Sequence, residues 1–165
     1  MGAGKTTQGK RLAQHLNRSF FDSDQVICER TGVNIPTIFE MEGEAGFRQR
    51  ESNIINELSL RPNIVLATGG GAVLREQNRA CLRQRGLVVY LHMQPEMLFA
   101  RVGKDKNRPL LQVQDALAKF RDLYQARDAI YRETAHIVIE MGAEDCQATF
   151  EQILKCAAEY ETGLG

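Results

Sequence analysis

Four short apolar runs constrain this chain most: Ser19-Phe20-Phe21, Ile64-Val65-Leu66-Ala67, Leu87-Val88-Val89-Tyr90-Leu91 and His136-Ile137-Val138-Ile139. Runs of this length and near-continuous apolarity suit strands covered on both faces. Helical patterns lie between them. The first runs from Lys5 to about Asn17, with Leu12, Ala13 and Leu16 on one face. A second passes through Val26, Ile27 and Cys28 to Gly32, and a short third opens at Pro36 or Thr37 and carries Ile38, Phe39 and Met41. From Glu44 to about Leu60, the residues Phe47, Glu51, Ile54, Ile55 and Leu58 recur at spacings of three and four, the signature of a long amphipathic helix that Pro62-Asn63 ends. Further helices are expected over Arg75–Gln84, Pro95–Val102, Gln114 to Arg127 or beyond, and Asp145–Glu161. Strands alternating with helices point to a parallel sheet with helices on both faces. Ligands of such sheets bind at the carboxyl ends of the strands.

The chain opens on Gly2-Ala3-Gly4-Lys5-Thr6-Thr7, the second half of the phosphate-binding pattern G-x-x-x-x-G-K-[ST]. Glycines let backbone N–H groups turn inward around a phosphate, and the positive end of the following helix faces the same anion. In that pattern Lys5 reaches the β- and γ-phosphates and the Thr6 hydroxyl ligates Mg²⁺. The pattern's first glycine would stand one residue before Met1, and the strand that feeds such a loop is absent from the sequence. Either the chain has lost its first strand or the phosphate-loop reading is wrong. A plain helix start is the alternative reading of the hexapeptide.

At 165 residues the chain is expected to form one domain, with no repeat and no dividing linker. Basic and acidic residues balance at 21 each, which argues against a partner bound by bulk charge such as nucleic acid. No apolar run approaches the roughly 20 residues that span a bilayer. Cys28, Cys81, Cys146 and Cys156 form no CxxC and read as buried or inert thiols of a reducing cytosol. His15, His92 and His136 are isolated and suggest no metal site.

Chemistry-bearing residues fall after strands. Asp22 and Asp24 flank one serine, and in extended chain residues two apart point the same way. They read either as an N-cap pair for the next helix or as a Mg²⁺ ligand (Asp22) and a handler of an acceptor hydroxyl (Asp24). Gly69-Gly70-Gly71 reads either as a loose turn or as a place of close backbone approach to a ligand. Arg48, Arg108 and Arg127 lie on three segments. Arg48 reads either as half of a helical surface pair with Glu51 or, aimed by the small-residue run Glu42-Gly43-Glu44-Ala45-Gly46, as part of a clamp of guanidinium forks on a carboxylate. Arg108 stands before Pro109 in the polar, basic stretch 103–112, where a phosphoryl-transfer enzyme keeps a lid arginine.

Taken together, Gly2-Ala3-Gly4-Lys5-Thr6-Thr7, Asp22-Ser23-Asp24, Gly46-Phe47-Arg48-x-x-Glu51, Thr68-Gly69-Gly70-Gly71, Arg108-Pro109-Leu110-Leu111 and Arg127 before Tyr131 resemble, in order and spacing, the shikimate kinase family over essentially the whole sequence. The resemblance implies a three-layer αβα P-loop kinase fold whose first strand is missing here, with a substrate-binding helical segment at about 33–61 and a lid at about 103–114. It implies ATP-dependent phosphorylation of the 3-hydroxyl of shikimate, in aromatic amino acid biosynthesis, by a cytoplasmic monomer with no nucleic-acid or membrane partner. Shikimate would be held by Asp24, Arg48, Gly70, Gly71 and Arg127. ATP would be held by Gly2, Ala3, Gly4, Lys5, Thr6 and Thr7, with Arg101 packing on the adenine. Lys5 and Arg108 would act on the transferring phosphoryl group, Thr6 on Mg²⁺ directly and Asp22 on Mg²⁺ through water. Asp24 would be the catalytic carboxylate. A gluconate or nucleoside-monophosphate kinase is a weaker fit, since a neutral sugar needs no pair of arginines and no base pocket is evident. A non-catalytic nucleotide-binding module conflicts with the intact set Lys5, Thr6, Asp22 and Asp24.

Overall fold

The structure, a computed structural model, describes residues 3–102, 116–142 and 146–163. The expected lid at 103–114 with Arg108, together with Gly2 and Asp145, lies outside the described residues. The chain forms two compact units, 6–88 and 1–5 plus 89–165.

Local signals delimit the elements of the first unit. Helix α1 (Lys5–His15) stops ahead of Asn17, whose φ of 53° is left-handed. Strand β1 (Ser19–Asp22) passes directly into α2 (Ser23–Thr31), because Asp22 accepts hydrogen bonds from the N–H groups of Asp24 and Gln25 and so caps the helix. Gly32, at φ 71°, ends α2 with its N–H on the Cys28 carbonyl. Asn34 caps α3 (Ile35–Leu58) by accepting from the Thr37 N–H at 2.9 Å, with Pro36 in the first turn. The two helices expected over 36–60 are thus one element with a break at Gly43, whose φ of 68° and ψ of −177° leave the helical region at a residue with no Cβ. Strand β2 (Ile64–Ala67), a 3₁₀ turn (Ala72–Leu74) and α4 (Glu76–Arg85) complete the unit. Its core is Ile27 of α2 against Ile38, Phe47, Ile54 and Leu58 of α3, joined by Phe21, Val26, Ile35, Ile64 and Leu66. Burying each large apolar side chain contributes about 1.5–3 kcal/mol.

The second unit contains β3 (Val89–His92), α5 (Pro95–Val102), α6 (Ala116–Thr134), β4 (Ile137–Glu140) and α7 (Cys146–Gly163). Met93 and Met141 are the residues that follow β3 and β4, and with Ala3 they form a buried cluster lined by Leu91, Met97 and Leu98. The opening segment of the chain is therefore anchored at the carboxyl ends of these two strands.

Both strand pairs are parallel. β1 pairs with β2, Ser19 opposite Ile64 through Asp22 opposite Ala67, and β3 pairs with β4, Val89 opposite Ile137 through His92 opposite Glu140. The described residues thus form two two-stranded sheets rather than one continuous sheet. The apolar runs expected to be covered on both faces are in consequence mostly half-buried, as at Ile64, Val65 and Leu66, because each strand keeps one unpaired edge. Cys28, Cys81 and Cys156 are half-buried, and Cys146, which opens α7, is exposed. No helix among the described residues is long and apolar enough to cross a membrane.

Candidate active site

The register of β1 and β2 builds the site in the first unit. With Asp22 opposite Ala67 at the carboxyl ends, the residues that follow each strand must meet. They do so through the Ser23 hydroxyl, which accepts from the Gly69 N–H at 3.1 Å. Ser23 itself is fully buried. The triple glycine is thereby tied to the start of α2.

Asp22 is the N-cap that one of its two readings expects, and its second oxygen is bonded elsewhere. Its Oδ1 accepts from the Asp24 N–H at 3.1 Å, as an N-cap does, while Oδ2 accepts from the Thr6 hydroxyl at 3.0 Å. Two hard oxygen donors thus sit together in an exposed position, a donor set that suits a hard divalent cation keeping water and phosphate ligands. Asp24 departs from the extended-chain expectation. It lies in the first turn of α2, so the alternation of a strand does not aim it alongside Asp22; the helix does the aiming.

Glu51 corrects the reading of Arg48 as half of a surface pair. The Glu51 side chain is 0% exposed and that of Arg48 is 14% exposed, with Nη1 donating to Glu51 Oε2 at 2.7 Å. The second Glu51 oxygen, Oε1, is buried with no hydrogen-bond partner among the described residues. Burial pushes the Glu51 carboxyl above the usual range; the Asp24 charge adds to this, and Arg48 opposes it. Arg48 also donates from Nε and Nη2 to Glu44 Oε1 at 3.3 and 3.4 Å, and its guanidinium lies 5.2 Å from the Phe47 ring centroid.

The glycines face these charges. A Cβ on Gly69 would lie 2.7 Å from Asp24 Oδ1 and 2.8 Å from Glu51 Oε1, and one on Gly71 would strike the Arg48 guanidinium. The structure therefore brings Asp24, Arg48, Glu51 and the Gly69–Gly71 backbone into one corner, with a guanidinium and two carboxylates converging. Such a corner can orient a small polyhydroxylated acid: the guanidinium for its carboxylate, the carboxylates for its hydroxyls. The sequence reads Gly69 as part of a possible close approach to a ligand and Glu51 as the helical partner of Arg48, and gives neither of them a place among the substrate-binding residues. The signal for Glu51 was present, since an acidic residue stands within the otherwise apolar face Phe47, Ile54, Ile55, Leu58 of α3.

The other expected residues fall as follows. Gly4 has φ 82°, a conformation open to glycine, and Lys5 opens α1, as a phosphate-cradling turn requires. Thr6 and Thr7 occupy its exposed first turn, and Ala3 is buried against Met93 and Met141. Arg101 belongs to α5 and the half-buried Arg127 to α6, both in the second unit with Lys5. Among the described residues no group of three or more His, Cys, Asp or Glu side chains could hold a metal ion.

The family model described as shikimate kinase matches residues 1–158. The shikimate kinase of Burkholderia pseudomallei is 58% identical over 154 residues, covering 93% of this chain and 84% of that protein. That of Neisseria meningitidis is 56% identical over 155 residues, covering 94% and 90%. Among solved structures, shikimate kinase from Acinetobacter baumannii in complex with shikimate matches with a TM-score of 0.90 at 50% identity, over 97% of this chain and 89% of that one. Shikimate kinase from Aquifex aeolicus matches with a TM-score of 0.83 at 33% identity, over 98% and 94%.

Proposed function

The chain belongs to the shikimate kinase family, and from that premise we propose how its own residues divide the reaction. The protein has the α/β fold of a P-loop kinase and is an ATP-dependent kinase. It transfers the γ-phosphoryl group of ATP to the 3-hydroxyl of shikimate, giving shikimate 3-phosphate and ADP for aromatic amino acid biosynthesis. The observation that carries the assignment of roles is the corner where Asp24 and Glu51 approach Gly69 and Arg48 backs onto Gly71.

Phosphoryl transfer depends on positioning and on neutralising charge more than on covalent chemistry. In the proposed arrangement Arg48 and Arg127 hold the shikimate carboxylate, and the Gly70 and Gly71 backbone lies against the ring. Asp24 orients the 3-hydroxyl and accepts its proton as the new P–O bond forms and the bond to the ADP oxygen breaks. Glu51 fixes the Arg48 guanidinium through the 2.7 Å bond. The backbone of Gly2 to Gly4, with Lys5, Thr6 and Thr7, cradles the phosphates, and Arg101 packs on the adenine. Lys5 and Arg108 stabilise charge on the transferring group. Thr6 and Asp22 hold Mg²⁺, which supplies further charge neutralisation across the phosphates when bound. The segment 103–114 is assigned the role of a lid and 33–61 that of the substrate-binding segment of a single kinase domain. Action in the cytoplasm as a monomer belongs to the same proposal; the balance of 21 basic and 21 acidic residues supports the absence of a nucleic-acid partner.

The test is a coupled ADP-release assay with shikimate, gluconate, a nucleoside monophosphate or no acceptor, with the product identified by mass. ADP release that requires shikimate and yields shikimate 3-phosphate is expected. Equal turnover with gluconate, or without any acceptor, would overturn the assignment.

A further inference from the structure

His92 is 1% exposed, carries two hydrogen bonds and takes no part in the mechanism above. It ends β3, directly opposite Glu140 at the end of β4. Nδ1 meets the Glu140 carboxylate across the two strands, and Nε2 lies 2.8 Å from the Tyr124 hydroxyl on α6. In the neutral ring, Nδ1–H donating to the carboxylate leaves Nε2 to accept from the tyrosine. Asp128, one turn beyond Tyr124, has its Oδ1 3.8 Å from His92 Nε2 and 3.1 Å from the Tyr90 hydroxyl, which donates to it. Arg132 closes the group by donating to Asp128 at 2.8 Å and to Glu140 at 3.4 Å. Tyr90 and His92 stand two apart on β3 and so share one face of the strand; Tyr90 also stacks on Tyr131 of α6, ring centroids 4.9 Å apart.

These contacts join β3 to α6 at Tyr124, Asp128 and Tyr131, residues i, i+4 and i+7 of one helical stripe. Arg127 falls within that stripe, one turn after Tyr124 and next to Asp128. The helix can neither slide nor rotate about its axis without breaking the His92–Tyr124 and Tyr90–Asp128 bonds together. We infer that His92, acting through Tyr124 and Asp128, is a positioning residue for Arg127, and so sets the affinity for the carboxylate of shikimate. The inference rests on the proposed role of Arg127.

Three variants test it: Tyr124→Phe, which removes one hydroxyl and keeps the ring; His92→Ala; and His92→Gln, whose amide can reach the tyrosine. Each is measured for kcat, for KM of shikimate and of ATP, and for its melting temperature, and Tyr124→Phe is repeated in an Arg127→Ala background. The loss of the Tyr124 hydroxyl, which meets His92 and also Arg132, predicts a shikimate KM raised about three- to tenfold in Tyr124→Phe. The ATP KM should stay within twofold, His92→Ala should show at least as large an effect, and His92→Gln should recover part of it. In the Arg127→Ala background Tyr124→Phe should add nothing. An unchanged shikimate KM in Tyr124→Phe, when Arg127→Ala alone raises it, overturns the positioning role and leaves the role of Arg127 standing. A rise of both KM values in step with a lower melting temperature also overturns it, by showing a merely structural network. If Arg127→Ala itself leaves the shikimate KM unchanged, the reading of Arg127 fails and this inference falls with it.

Discussion

Replacing Gly69 by alanine perturbs the site at its tightest point. The added Cβ would stand 2.7 Å from Asp24 Oδ1 and 2.8 Å from Glu51 Oε1. The cost is steric alone, since Gly69 is not among the glycines with positive φ. Reaching ordinary contact at 3.4 Å requires the Glu51 oxygen to retreat by about 0.6 Å, the difference from 2.8 Å, and the Asp24 oxygen slightly more. Glu51 has little room, because it is wholly buried and tied to Arg48. Overpacking of this kind costs about 1–3 kcal/mol. At about 2–4 °C per kcal/mol for a chain of this size, the melting temperature should fall by about 2–12 °C. With Asp24 as the proposed catalytic carboxylate, a shift of more than half an ångström should lower kcat by about 10- to 100-fold, given that a 1 Å misplacement can cost about 100-fold. The assay is a thermal melt paired with coupled ADP release on Gly69→Ala and on Gly86→Ala, a control position where a Cβ meets nothing within 4 Å and the backbone is extended. A Gly69→Ala protein that melts and turns over like the parent would refute the placement of the two carboxylates against this glycine.

Asp24→Asn keeps size and hydrogen bonding but removes the proton acceptor, so kcat should fall by about 10²–10⁴-fold; a change of only a few-fold would reduce Asp24 to a binding residue. Arg127→Glu should abolish shikimate binding in calorimetry while ATP affinity stays near that of the parent, and equal loss of both would refute its assignment to the carboxylate. Acid stability should show the Glu57 cluster. Arg30 grips the Glu57 carboxylate at 2.6 and 2.7 Å and Arg61 at 2.9 Å, and the hydrogen bond from Arg30, followed by that from Arg61, holds the carboxyl at about 2. A folded pKa below the unfolded one stabilises the fold above the unfolded value, near 4.5, and that stabilisation is lost as pH falls toward 2. Denaturant melts of Glu57→Gln between pH 5 and about 2 should therefore decline less steeply than those of the parent, by a small amount because the pair is exposed; parallel curves would refute the linkage.

The order and type of the elements were legible because their determinants are local. Apolar spacing, the cap at Asn34, the stop at Gly32 and the opening Pro95 act over a few residues, and the helices formed within a few residues of the expected bounds. The expected turn between Met41 and Phe47 is the break at Gly43, again a local property of one residue. Of the two readings of Asp22 the N-cap is the one observed, and because a carboxylate has two oxygens and the cap uses only Oδ1, Oδ2 is left to the Thr6 hydroxyl. Asp24 was mis-aimed for an equally local reason: the Asp22 cap starts the helix at Ser23, one residue before the strand's alternation could apply.

By itself the sequence determined which segments are helices and strands, where the phosphate-cradling turn stands, and which residue types are available for chemistry, since each of these follows from near neighbours along the chain. Only the tertiary structure decided which residues meet. Ser23 reaches Gly69 across 46 positions and His92 reaches Glu140 across 48. Glu51 is a surface residue or a wholly buried one according to what packs on α3, not according to its own helix. Burial and parallel-strand register are properties of two distant segments held together, and they turned a helical Arg–Glu pair into the charged corner of the site.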